Sequence, residues 1–219
     1  QGAVQLAAVA TFAARWLIPR LGGLRARHPQ VVVHIETRTR PFLFADTAFD
    51  AALYAGTPEQ LQRWAGTQAT RLLTEVTLPV CAPALLGGRA APCTAQALVD
   101  LPLLQQSTRP FAWRQWFEAQ GLAVAQALSG PRYELFSMTI SAAIHGQGLA
   151  LVPRLLIEDE LARGDLVVAC NQPLLDERAY YLVTPLDVTT SRHLVKPRVK
   201  GWEDNILDTH PSKLMSVEN

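Results

Sequence analysis

Between residues 4 and 185 the chain changes period again and again. Short apolar or β-branched runs of strand length alternate with longer stretches whose apolar residues return at helical spacing. "VQLAAVA" (4–10), "VVVHIET" (31–37), "FDAALYAG" (49–56), "LPLLQQ" (101–106), "RYELF" (132–136), "LALV" (149–152), "LVVA" (166–169) and "AYYLVTP" (179–185) read as strands. "TRLLTEVTLPVCAP" (70–83) reads as one longer strand interrupted at Pro79. Between them, Leu17, Leu21 and Leu24 mark the buried face of a helix from about Leu17 to Pro29, with Pro19 placed in its first turn. "AWRQWFEAQG" (112–121), a helix from a capping Ser137 to about His145, and "RLLIEDELARG" (154–164) complete the helices. Such alternation is the pattern of an α/β fold. No internal repeat or low-complexity segment breaks it.

The stretch "SAAIHGQGLALVP" (141–153) bears on function, because Gly146-Gln147-Gly148 could cradle a phosphate. A dinucleotide fingerprint needs its glycines after a strand and before a helix, so that the phosphate meets a helix N-terminus. Here the order is reversed, and the place of a third glycine holds Leu151. A helix stop followed by a tight turn accounts for both glycines.

Catalytic and metal chemistry find no constellation. There is no G-x-S-x-G elbow and no phosphate loop. His28, His34, His145, His193 and His210 form no H-E-x-x-H motif, and His28 suits the C-terminal end of a helix dipole. Glu158, Asp159 and Glu160 are consecutive on a helix and cannot face one site, and no spacing demands that Glu36, Asp46 and Asp50 converge. Cys81, Cys93 and Cys170 are odd in number and widely spaced, which reads as free thiols rather than a zinc site or disulfide framework. No metal and no cofactor is expected. With 20 basic against 19 acidic residues the net charge is +1, too balanced for a nucleic-acid-binding domain, and the basic cluster from Arg192 to Lys200 is modest. No apolar run approaches the ~20 residues of a membrane span. The chain starts at Gln1 rather than methionine, so a segment upstream is expected.

What remains is a pair of helix beginnings. Thr11 and Ser137 each follow a strand and open a helix, and ligands of open α/β sheets gather at the carboxyl ends of strands. Together with the hydroxyl-rich loop "QSTRP" (106–110), these starts would make a receptor for a small anion.

Four segments in series carry a resemblance: "TFAARWLIPRLGGLRARHPQVVVHIET"; "FDAALYAG" followed by "ATRLLTEVTLPVCAPALL"; "FSMTISAAIHGQGLALVPRLL"; and "ELARGDLVVA" leading to "YYLVTP". In this order, over about residues 4 to 186, they resemble the effector-binding (regulatory) domain of bacterial LysR-type transcriptional regulators, in the branch of the glycine-cleavage regulators. Within that family Gly-x-Gly is a structural turn.

The resemblance implies two Rossmann-like subdomains joined by two crossover strands, a fold like type II periplasmic binding proteins. Residues 1–78 with 179–207 would form the first and 79–178 the second, with 208–219 a tail. It implies a winged helix-turn-helix domain before Gln1, through which alone DNA would be bound, a cytoplasmic location, and a homodimer or homotetramer pairing the first helix of one subunit with residues 137–146 of another. Carried over position by position, an allosteric effector, a small carboxylate, would lie in the cleft between subdomains. Its contacts would be Thr11, Phe12, Thr39 and Tyr54 from the first, and Ser107, Thr108, Arg109, Phe136 and Ser137 from the second, with Arg109 opposite the carboxylate. The related branch often has arginine at the position of Tyr54, so this arm is more apolar here. Pro197 interrupts the family's usual closing helix. A periplasmic solute-binding protein of the same fold is the alternative, although it commonly carries a disulfide. An enzyme on this fold, such as a dehydratase, would need an acid or base that no residue here supplies.

Overall fold

The computed structural model describes residues 2–186; the cluster Arg192 to Lys200, Pro197 and the 208–219 tail lie outside the described residues. The chain forms two compact units, one from residues 2–74 and 177–186 of those described, the other from Glu75–Asp176. It therefore passes between them at 74/75 and 176/177, a few residues from the expected 78/79 and 178/179, because the strand Thr77–Cys81 lies whole within the second unit.

The first unit is built on a five-stranded sheet in the order β2-β1-β3-β10-β4. β1 (Gly2–Ala8) runs parallel to β2 (Val31–Thr37), with Leu6 beside Ile35, and parallel to β3 (Ala51–Gly56), with Leu6 beside Ala51. β10 (Ala179–Pro185) returns antiparallel between β3 and β4 (Thr67–Thr74), and the short α3 (Pro58–Gln62) lies between β3 and β4 in the chain. Strands covered on both faces read as continuous apolar runs rather than alternating ones. β10 shows it: Ala179 to Thr184 are all buried.

The connection from β1 to β2 is one helical path with a change of pitch. α1 (Ala10–Phe12) passes into a π-helical turn, Ala13–Leu17, and then into α2 (Ile18–Arg27), which His28 closes. The N–H of Ile18 reaches back to the carbonyl of Ala13, five residues earlier, and Pro19 follows in the first turn of α2. The helix thus begins at Ala10, earlier than the expected Leu17. Thr11 is not its cap: Val9 holds that position with no side-chain bond, and Thr11 lies inside the first turn.

In the second unit β5 (Thr77–Cys81) is central, antiparallel to β8 (Ala150–Pro153) and to β9 (Val167–Val168). The expected break at Pro79 is absent; the chain breaks instead at Glu75-Val76, between β4 and β5. Proline is tolerated here because its carbonyl still accepts the Ala169 N–H (2.9 Å), while the Ala169 carbonyl, which an N–H at position 79 would have served, accepts from the Cys93 N–H (2.7 Å). Trp113, Trp116 and Phe117 of α4 (Ala112–Ala119) fill the core, packed with Leu86, Leu98 and Leu149. Each buried indole finds a carbonyl, Trp113 on Leu104 (2.9 Å) and Trp116 on Gln172 (2.7 Å).

"LPLLQQ" and "RYELF" contract to a two-residue parallel pair, β6 (Gln105–Gln106) with β7 (Arg132–Tyr133). The latter is short because α5 (Phe136–Ile144) claims Phe136. Leu135 is the residue before that helix, so Ser137, expected as the cap, is its second residue. α6 (Glu158–Arg163) is likewise shorter than its sequence pattern, since Arg154–Leu156 form a 3-10 turn first.

α5 ends as a Schellman turn. Gly146 has φ +72°, its N–H meets the Ala143 carbonyl, and the Gln147 N–H meets that of Ala142, both at 3.0 Å. Gly148 is required for another reason: a Cβ there would stand 2.7 Å from the Pro102 carbonyl oxygen. The two glycines are structural, one for handedness and one for close approach.

Candidate functional site

The nine candidate residues fall on both units; the second brings its members together, whereas in the first Phe12 packs on Tyr180 and Tyr54 on Trp64, beside Tyr181 on the other face of the sheet. In the first, the turn after β1 places Thr11 and Phe12 side by side, both buried. Phe12 is 1% exposed and lies between two rings, Tyr180 at 4.2 Å and 14° and Trp16 at 4.8 Å and 11°. The Arg20 guanidinium caps the far side of Trp16 at 4.6 Å. Phe12 is therefore an inner layer of a stack.

Thr39 is exposed, in the loop that follows β2. That loop is held down by aromatic contacts: Phe42 and Phe44 pack on Trp64, Phe49 packs on Phe42, and the Trp64 indole donates to the Phe42 carbonyl at 2.6 Å. Tyr54 meets Trp64 edge-on at 5.3 Å. Burial pushes its phenol above the ordinary value of 10.0, with the nearby Arg178 charge opposing, so the hydroxyl is a neutral hydrogen-bonding group at physiological pH.

In the second unit the site is a turn docked on a helix start. Ser107 and Thr108 are exposed at the tip. The Arg109 N–H closes the turn on the Gln106 carbonyl (2.9 Å), and the Ser107 N–H meets that of Tyr133 (2.8 Å). Buried Gln106 fastens this turn to α5. Its amide donates to the Glu134 carbonyl at 2.5 Å, and its oxygen accepts from Thr139 Oγ1 at 2.8 Å. The helix beginning with Phe136 and Ser137 is thus set beside Ser107 and Thr108, and its positive dipole end favours an anion or a partial negative charge.

Arg109 does not project from this turn. Nη1 and Nη2 lie 2.5 and 2.9 Å from the two carboxylate oxygens of Glu75, and the side chains are 8% and 0% exposed. Its guanidinium covers the Phe136 ring at 4.8 Å. Glu75 is a residue the sequence reading missed. A single acid inside the apolar run "LLTEVTLPV" was the available signal.

The outer face of α5, which the resemblance assigns to subunit pairing, also carries a groove. Tyr133, Ser137, Met138, Ser141, Ala142, His145 and Gln147 line an open groove of about 400 Å³, and Ser137, Ser141 and His145 recur on it at helical spacing. The acids considered together are engaged separately: Asp50 accepts the Gln5 N–H at 2.7 Å, and Glu36 lies 3.4 Å from Arg38. Among the described residues no three His, Cys, Asp or Glu side chains are placed to hold a metal ion, and no helix is long and apolar enough to cross a membrane.

Comparison with known proteins places these features. The LysR substrate binding domain family matches residues 1–194. The glycine cleavage system transcriptional activator of Escherichia coli K12 is 32% identical over 183 residues, covering 84% of this chain and 58% of its own length. The transcriptional activator AmpR of Rhodobacter capsulatus is 32% identical over 177 residues, covering 81% of this chain and again 58% of its own. The chain thus spans somewhat more than half the length of these relatives. Among solved structures, the effector domain of AmpR from Pseudomonas aeruginosa superposes with a TM-score of 0.77 at 22% identity, covering 98% of both chains. The CrgA regulatory domain of Neisseria meningitidis gives 0.76 at 18%, covering 96% of this chain and 99% of its own.

Proposed function

This chain belongs to the LysR substrate-binding domain family, and we propose that it is the ligand-sensing part of a transcriptional regulator. Its fold is that of LysR effector-binding domains, like type II periplasmic binding proteins. It binds a small metabolite and passes that event to a DNA-binding domain carried elsewhere in the full-length protein, in the cytoplasm. It works as a sensor and not as an enzyme. The observation that carries this reading is the family match across residues 1–194, together with 32% identity to a transcriptional activator.

The effector is a small carboxylate that draws on Thr11, Phe12, Thr39 and Tyr54 of the first unit and on Ser107, Thr108, Phe136 and Ser137 of the second, with Arg109 behind that turn, held by Glu75 and laid over Phe136. Exposed hydroxyls beside the first turn of α5 support it, since a helix N-terminus with adjacent hydroxyl donors suits a negative group. The ligand controls the protein only by binding one state better than another. The domain self-associates as a dimer or tetramer through its first helical segment and the α5 face. Ile18, 52% exposed, and Met138, 48% exposed, are the apolar side chains those two elements present to solvent.

A thermal-shift screen against amino acids, small carboxylates and aromatic acids tests the reading. A ligand at about one hundred times its Kd stabilises by roughly 2.7 kcal/mol. For a chain of this size that raises Tm by roughly 5–10 °C. The shift should shrink in Thr11→Val and in Ser137→Ala. A panel that moves neither the wild type nor the variants would refute carboxylate sensing at these residues.

A further inference from the structure

The cation that the sequence offers as an effector anchor is already bonded within the second unit. Arg109 gives both terminal nitrogens to Glu75, at 2.5 and 2.9 Å, in a pair sheltered from water. Glu75 also accepts the Thr77 hydroxyl at 3.2 Å. A carboxylate that took Arg109 for itself would leave Glu75 buried beside a second negative charge, an exchange that a low-dielectric environment penalises.

Three pieces of chain meet at this guanidinium. Glu75 is the first residue of the second unit, where the chain arrives from β4. The Arg109 backbone closes the turn that carries Ser107 and Thr108. Its side chain covers Phe136, the first residue of α5. We infer that Arg109 is a positioning residue of the candidate effector site, acting through Glu75 to fix Ser107 and Thr108 against the first turn of α5, and that it does not bind the effector's charge itself. The inference rests on the sensor reading for what the site is for. It assigns the anion to neutral donors, the hydroxyls of this turn and the end of the helix.

Amide hydrogen exchange, measured by NMR on the labelled chain without effector, tests it in Glu75→Gln, Arg109→Met and Arg109→Lys. Local opening should speed exchange at Arg109, Met138 and Thr139 by about tenfold or more in Glu75→Gln and Arg109→Met, while β5 and β8 stay within about threefold of wild type. Arg109→Lys, which keeps the charge, should recover part of the protection. A pair that serves only general stability would raise exchange uniformly through the second unit; that result, or no change at all, overturns the inference. So would a shift of the Arg109 side-chain Nε signal when sodium benzoate is titrated in. Exchange needs no effector, so it can fail while the sensor reading stands. An empty thermal-shift panel would strike the sensor reading and leave the exchange result in place.

Discussion

Replacing Phe12 separates two roles that its position permits, effector contact and core. The ring is 1% exposed, with Tyr180 stacked on one face and Trp16 on the other. Truncating a buried phenylalanine to alanine costs about 3–5 kcal/mol, the lost transfer energy plus the cavity. Aromatic pairs contribute about 0.5–1.5 kcal/mol each beyond area. Phe12→Leu keeps most of the volume and loses both ring contacts, so it should cost about 1–3 kcal/mol. At roughly 2–4 °C per kcal/mol for a chain this long, Phe12→Ala lowers Tm by about 6–20 °C and Phe12→Leu by about 2–12 °C. Circular dichroism melts, read beside indole fluorescence because Trp16 stacks on Phe12, measure both. The outcome that refutes the argument is a Phe12→Leu variant with wild-type Tm, which would mean that the stack contributes nothing and that Phe12 is held for a ligand.

Two further perturbations follow from local geometry. Gly148→Ala should destabilise more than Gly146→Ala, although only Gly146 has positive φ. A Cβ at 148 meets the Pro102 carbonyl, which is itself bonded to the Leu149 N–H at 2.8 Å, whereas one at 146 meets open space. Left-handed backbone costs about 1–2 kcal/mol at 146, and overpacking about 1–3 kcal/mol or more at 148. Denaturant titration gives the order, and the reverse order would refute it. Burial, with a smaller push from Cys93, raises the Cys81 thiol from 9.0 to about 11, so the folded state holds this proton more tightly than the unfolded one. That stabilisation is full below about pH 9 and is lost as pH rises to about 11, a fall of roughly 2–3 kcal/mol. Cys81→Ala should flatten this part of the stability profile, and an unchanged slope would show that Cys81 does not supply it.

The fold was legible because β-branched runs and helical periodicity each occupy their own stretches of chain. Element ends were not. At Thr11 and Ser137 a hydroxyl before an apolar run looks like a cap, yet the helices start before them, behind Val9 and Leu135, which make no side-chain cap bond. A true capping box, Thr57 with Gln60, escaped notice because the helix it opens, Pro58–Gln62, is too short to show a period. Pro79 misled for a related reason: a proline breaks a strand only where its lost donor has an acceptor waiting, and Cys93 fills that need from elsewhere in the chain.

The candidate site shows the same division between local and distant information. The turn at Gly146 follows from two neighbouring glycines and a helix, so the sequence was sufficient. The fate of Arg109 depends on Glu75, 34 residues away, and no periodicity connects them. An arginine in a hydroxyl-rich loop looks like an anion anchor because a sequence displays charge without its burial. Once a cation is shut from water, its nearest carboxylate decides its role, and here that carboxylate belongs to the chain. Any ligand that reaches the exposed Ser107 and Thr108 meets a guanidinium whose charge is already balanced. On the proposed reading, specificity at this turn would rest on hydrogen-bond geometry, which favours a ligand with several well-placed acceptors over one that offers charge alone.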